Sequence, residues 1–305
     1  MKKKQNLKSS SNKSVLKIHE STKKIGPVIF ASPHSGRNYD DTFISQTRLE
    51  YSILRQSEDA FVEEIFMDAP IFGAPLLTAL FPRAFVDANR HSWELDQNMF
   101  KDKLPSYVTT KSPYISAGLG TIPRLVGNGK EIYDNKLLFS EIRQRIVKNY
   151  IPYHKALQAL IKKTIAIHQS CLLIDCHSMP SANKSFERSK TNLPDIVLGD
   201  NHGKACSQRI VELIERNLLS QGLSVIRNKP YAGGFTTQNY SNKEEGIHVI
   251  QIEINRSLYM DEKRIKRLPS LKVLIEKIKV LIEELTAIDP NTLKRSKFIS
   301  LKAAE

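Results

Sequence analysis

The chain has 305 residues, 40% of them hydrophobic, which is enough for a sizeable core and fits one α/β domain with insertions better than two large domains. Its formal net charge is +14 at pH 7, but half of that excess lies in residues 1–24, where eight lysines face one glutamate. No apolar run approaches the roughly 20 residues of a membrane helix, no apolar stretch follows Met1-Lys2-Lys3-Lys4 as in a secretory signal, and the three cysteines lack the spacing of a disulfide framework or a thiolate zinc site, so a reduced, cytoplasmic protein is expected.

Residues 1–24, rich in Lys, Ser and Asn, read as a solvated, disordered tail. Residues 25–288 read as a single α/β domain and residues 289–305 as a second tail. Within the domain, residues 27–34 form an apolar run that ends in His34-Ser35-Gly36, and residues 52–67 have helical spacing. Residues 74–86 read as one or two strands that empty into Asp87-Ala88-Asn89-Arg90. Residues 101–133, rich in Pro, Gly, Ser and Tyr, read as a long ordered loop covering a site. Helical spacing over 137–169 breaks near Pro152. A strand at 171–176 precedes a polar loop at 178–194. Residues 195–199 form another strand, 203–221 a helix ended by Gly222, and 224–227 a strand leading into Pro230-Tyr231-Ala232-Gly233-Gly234. A strand at 248–254 and a helix from about 262 to 285 complete the domain. Alternating strands and helices predict a mostly parallel mixed sheet with helices on both faces.

Two of these strands deliver an imidazole at the end where ligands bind in open parallel sheets. They are Val28-Ile29-Phe30-Ala31-Ser32-Pro33-His34 and Leu173-Ile174-Asp175-Cys176-His177-Ser178. Neutral imidazoles and a carboxylate suit a hydrolytic zinc ion with an open position for water. His34 and His177 are the candidate nitrogen ligands, and the small Ser178 leaves room beside one of them. Glu58-Asp59 offers a third ligand from within the expected helix. Asp175 shares a side of its strand with His177 and either orients the imidazole or ligates. Glu253 lies in Ile250-Gln251-Ile252-Glu253-Ile254, where burial raises a carboxyl's pKa. It is either a general base or a buried partner of Arg256 or another arginine. Asn89-Arg90 and Asn255-Arg256 each follow a strand, and paired guanidinium forks suit a substrate with carboxylates. Gly233-Gly234 after Tyr231 lets backbone approach a ligand closely.

Together these motifs, with Leu198-Gly199-Asp200 and Gln251-Ile252-Glu253-Ile254-Asn255-Arg256-Ser257-Leu258-Tyr259, resemble the N-formylglutamate amidohydrolase family over about residues 26–285. The family is similar in fold to zinc carboxypeptidases and aspartoacylases. The resemblance implies one zinc ion on His34 and His177, Glu253 as the base and Asn89-Arg90 as a clamp on the substrate carboxylate. Zinc carboxypeptidases place an acidic ligand three residues after the first His. Here that position is Arg37, so the matching acid is Asp59, with Glu58 as the alternative, and Arg37 is expected to face a second substrate carboxylate. Ser178, Tyr231, Gly233, Gly234, Asn255 and Arg256 complete the expected substrate site.

The resemblance implies hydrolysis of N-formyl-L-glutamate to formate and L-glutamate, within histidine degradation. An alternative keeps the chemistry and changes the substrate to another N-acyl amino acid or a short peptide. A non-enzymatic basic protein that docks on nucleic acid is the third reading, and no recognised nucleic-acid module supports it. The expected partner is therefore a small anionic N-acyl amino acid, not nucleic acid or membrane. The sequence carries no signal of oligomeric state.

Overall fold

The computed structural model describes residues 14–127, 129–181 and 193–294. Strands β1 (Leu16–His19), β2 (Val28–Ser32), β3 (Leu76–Ala79), β4 (Cys171–Met179), β5 (Ile196–Gly199), β6 (Val225–Arg227) and β7 (Ile247–Asn255) form one sheet in the order β1-β3-β2-β4-β7-β5-β6. Neighbours run parallel except β1 with β3 and β5 with β7, as expected of a mostly parallel mixed sheet.

Strands β2, β4 and β7 are buried along their whole length, as strands covered on both faces must be. Their alternation divides the core. Val28, Phe30, Leu172, Ile174, Ile250 and Ile252 pack on one side with the helices Gln208–Ser220 and Ser270–Thr286. Ile29, Ala31, Leu173 and Val249 face the other side, with the helix Ile151–His168. Continued in steps of two, this second face takes in Asp175 and His177 on β4 and Gln251 and Glu253 on β7. The register pairs Asp175 with Gln251 and His177 with Glu253. A polar block thus begins where the apolar face stops, at the shared carboxyl ends of β2, β4 and β7. The turn after β2 is pressed on the end of β3: a Cβ on Gly36 would lie 2.2 Å from the Phe81 carbonyl oxygen, so only glycine fits.

Several expected elements change. Residues 52–67 are not one helix. They form the helix Tyr51–Leu54, a 3-10 turn Arg55–Ser57, an extended break at Glu58 and a second helix Val62–Ile65, with Phe61 in the left-handed region at φ 69°. The break exists because the Asp59 N–H donates to the His34 carbonyl at 3.0 Å, a bond that a continuing helix would forgo. Residues 74–86 supply only β3. The last long helix begins at Ser270, since residues 260–267 pair as a small hairpin. The segment read as an N-terminal tail contains β1, which pairs with β3, and residues 1–13 lie outside the described residues. The segment read as a C-terminal tail contains the turn Pro290–Leu293, where Leu293 is buried and its carbonyl accepts from His248 Nε2 at 2.8 Å. Most of the polar loop expected at 178–194 lies outside the described residues.

The expected break near Pro152 is a π-helical turn, Ile146–Tyr150, between the helices Phe139–Arg145 and Ile151–His168. Proline has no N–H to give to the preceding turn, and a local widening of the helix accommodates that. No described helix is long and apolar enough to cross a membrane.

Candidate metal centre and its cavity

Three buried side chains from distant segments converge: His34 after β2, Asp59 from the broken helix and His177 on β4. One ligand atom from each lies within 4.8 Å of the others. Asp59 Oδ2 stands 3.0 Å from His177 Nδ1 and 3.4 Å from His34 Nδ1. His34 Nδ1 is buried and makes no hydrogen bond, a costly state for a polar atom unless something else takes its lone pair.

Each imidazole is also held from behind. His34 Nε2 lies 2.7 Å from Asp87 Oδ1, and His177 Nε2 lies 3.1 Å from Asp175 Oδ2. Metal-binding imidazoles commonly give their second N–H to a carboxylate, which fixes the tautomer and turns the other nitrogen to the ion. The donor set therefore fits a divalent cation with a taste for nitrogen and oxygen. Asp59 is braced through Oδ1 by Arg256 Nη2 at 3.0 Å and Ser178 Oγ at 3.2 Å. Burial works against ionising Asp59, but the His177 and His34 imidazoles beside it outweigh burial and hold the carboxyl well below the usual range. Burial would likewise lower His177, yet Asp175 and Asp59 raise it well above the ordinary histidine value. Asp87 is buried too, and Arg83 and His34 hold it well below the carboxylate range. Glu58, the alternative ligand, points elsewhere: both its oxygens accept from Arg55, at 3.0–3.2 Å.

A cavity of about 420 Å³ opens over the cluster, with His34, His177 and Glu253 in its wall and Arg83, Arg90 and Arg256 as its cations. Its volume sits at the small end of ligand sites, which run from ~300 to 1,000 Å³. Asn89, Ser178, Tyr231, Gly233 and Gly234 also line it, and Tyr114, Leu119 and Leu125 show that the 101–133 segment covers it as expected. Burial pushes the Glu253 carboxyl up to about 7, and its Oε1 accepts from Gln251 Nε2 at 2.8 Å.

The two Asn-Arg pairs part company. Arg90 lines the cavity with its guanidinium 4.1 Å from the Tyr114 ring. The Asn89 side chain is committed to its neighbours, with Nδ2 at 3.2 Å from Asp175 and 3.1 Å from His177 Nε2, and Oδ1 accepting from the Thr236 N–H at 2.8 Å. Arg256 spends one nitrogen each on Ser178, the Gln56 carbonyl and Asp59. Asn255 is turned away from the cavity, capping the next turn through Ser257 and donating to the Pro194 carbonyl. Arg37 does not face the cavity either. It is about half exposed and pairs loosely with Glu63 and Glu64, because the chain after Gly36 runs outward along the end of β3.

The sequence profile of the N-formylglutamate amidohydrolase family matches residues 26–260. The chain belongs to this family. It is 27% identical over 239 residues to an N-formylglutamate deformylase of Pseudomonas aeruginosa, covering 77% of this chain and 83% of that one. It is 25% identical to an N-formylglutamate deformylase of Pseudomonas putida, covering 77% and 82%. The crystal structure of an N-formylglutamate amidohydrolase from Ralstonia eutropha superimposes with a TM-score of 0.85 at 30% identity, over 91% of this chain and 99% of that one. A protein of Agrobacterium tumefaciens shares the fold, with a TM-score of 0.63 at 18% identity over 90% and 95% of the two chains.

In this member of the N-formylglutamate amidohydrolase family, three residues at the site escaped the sequence reading. Asp87 backs His34, Arg83 lines the cavity and donates to Asp87 at 2.9 Å, and Gln251 bridges Glu253 and the Gly234 N–H. For Gln251 the signal was available, since alternation places it on the same face as Glu253. Arg83 and Asp87, four residues apart in an irregular segment, have no periodicity to betray them.

Proposed function

We propose that this chain hydrolyses N-formyl-L-glutamate to formate and L-glutamate with a divalent cation, zinc first among candidates, held by His34, Asp59 and His177. The observation that carries the reading is the buried His-Asp-His cluster beside Glu253, in the wall of a small cationic cavity. The deformylase relatives support the substrate. A bound cation would supply Lewis acidity to water and to the formyl oxygen.

The chain's own groups do the rest. Glu253 accepts a proton from the water that attacks the formyl carbon and passes it to the departing nitrogen. Its burial favours that exchange, because a carboxyl near 7 both takes and gives a proton readily at neutral pH. Arg83 and Arg90 offset the charge of the substrate's carboxylates and of the developing oxyanion. Asp87, Asp175 and Arg256 keep the cluster in shape. We place the reaction in histidine degradation and in the cytoplasm, as the family resemblance and the buried, unpaired cysteines suggest.

Formate release from N-formyl-L-glutamate, abolished by a chelator and restored by zinc, with N-acetyl-L-glutamate inert beside it, is the expected result. Metal-loaded protein that releases acetate but no formate would move the substrate to another N-acyl amino acid.

Gly234 offers a milder test. A Cβ there would lie 2.6 Å from the Asn89 amide, which is pinned by Asp175, His177 and Thr236. Gly234→Ala should therefore cost about 1–3 kcal/mol of stability by overpacking. It should also lower kcat/KM roughly tenfold, the effect of about 1.4 kcal/mol in the transition state. Thermal melts and steady-state kinetics on the same sample check both.

A further inference from the structure

Tyr150 and His154 stand one turn apart on the helix that carries the π turn, and neither has a place in the chemistry above. Tyr150 Oη donates to the Arg90 carbonyl at 2.7 Å. His154 Nε2 lies 2.9 Å from the Ala88 carbonyl, and its Nδ1 lies 2.6 Å from the Tyr240 hydroxyl. A carbonyl only accepts, so Nε2 carries the proton and Nδ1 accepts from Tyr240. Burial pushes His154 down to about 4, so the ring is neutral at pH 7 and keeps this one pattern of bonds.

The two carbonyls so held flank Asn89 and Arg90. Tyr240 closes the helix Phe235–Tyr240, whose Thr236 N–H binds Asn89 Oδ1 at 2.8 Å. His154 therefore ties the residue before Asn89 to the helix that binds the Asn89 side chain, behind the cavity wall. Arg90 itself is restrained at its head, with Nε on the Leu119 carbonyl at 2.9 Å, Nη1 on the Asn89 carbonyl at 2.7 Å and the ring of Tyr114 against its face. Tyr150 is the last residue of the π turn, and such turns re-aim the side chains beyond them, often at functional sites.

We propose that Tyr150 and His154 are positioning residues that aim Arg90 at a substrate carboxylate by fixing the backbone of residues 88–90 from beneath. This rests on the reading of a dicarboxylate substrate. The test uses Tyr150→Phe, His154→Leu and His154→Gln in the full-length, metal-loaded protein, reading kcat and KM for N-formyl-L-glutamate and the Kd of L-glutamate by calorimetry. Tyr150→Phe and His154→Leu should each raise KM and Kd about fivefold or more, the loss of roughly one hydrogen bond, with kcat little changed. His154→Gln, which keeps a donor for the Ala88 carbonyl, should recover part of that loss.

Folded variants with unchanged KM and Kd overturn the proposal, as does a fall in active fraction alone, which is what a merely structural role produces. A wild type that binds L-glutamate but releases no formate sinks the functional reading, and weaker binding in the variants then still upholds the positioning roles. A wild type that does neither sinks both.

Discussion

Replacing Glu253 with glutamine lowers kcat for formate release by about 10²–10⁴-fold, the range that a positioned general base supplies, while the fold and the metal content stay intact. Glutamine keeps the shape and can still accept from Gln251 through its amide oxygen, so the β7 contacts survive and only the proton acceptor is lost. The register that sets Glu253 beside His177 places the acceptor next to the cluster where a bound cation would activate water.

The same residue sets the pH dependence. A base works deprotonated, so activity falls as the pH drops through its pKa. Burial pushes Glu253 up to about 7, and a cation in the neighbouring cluster would pull it down again by favouring the charged form. The acid limb of kcat/KM therefore lies at or below about 7, and it vanishes from the residual activity of Glu253→Gln. Full activity in that variant, or an acid limb that persists in it, would remove Glu253 from the chemistry.

Replacing His34 with alanine abolishes both stoichiometric metal and activity. His34 supplies the buried Nδ1 that makes no hydrogen bond, and its loss leaves two ligands, fewer than a hydrolytic zinc site uses. Elemental analysis of the purified variant checks the first part. A formate-release assay checks the second, and thermal melts test the metal loss independently, because an ion bound only by the native state stabilises it by about 2.7 kcal/mol at a hundredfold excess over its Kd. A chelator should therefore lower the Tm of the wild type and leave that of His34→Ala unmoved. Metal affinity should also weaken as the pH falls, since His177 holds its proton well above the usual range and must release it to bind. Equal metal content in wild type and variant would dismantle the site.

Much of this centre was legible in the chain. Apolar runs ending in His34 and in Asp175-x-His177 announced strands whose ends carry the clustered imidazoles, and period-two alternation put Glu253 on a buried strand. These inferences are local: a strand's side-chain period is fixed by its backbone, and a charged residue in an apolar run has few bland explanations.

What escaped the sequence was non-local. The spacing of Ile53, Val62, Ile65 and Phe66 suggested one helix, but the bond from the Asp59 N–H to the His34 carbonyl breaks it and swings Asp59 into the cluster while Glu58 stays with Arg55. Asn89-Arg90 and Asn255-Arg256 read alike, yet Arg256 is spent on Asp59 and Asn255 on a turn, because the ends of β4 and β7 bring them to different neighbours. Asp87 joins His34 across 53 positions of chain. The sequence by itself determined the buried strands β2, β4 and β7 and the identity of the histidines and of the buried Glu253. Only the tertiary structure decided which acid completes the cluster and which arginines face the cavity, since hydrogen bonds between distant segments leave no period in the chain.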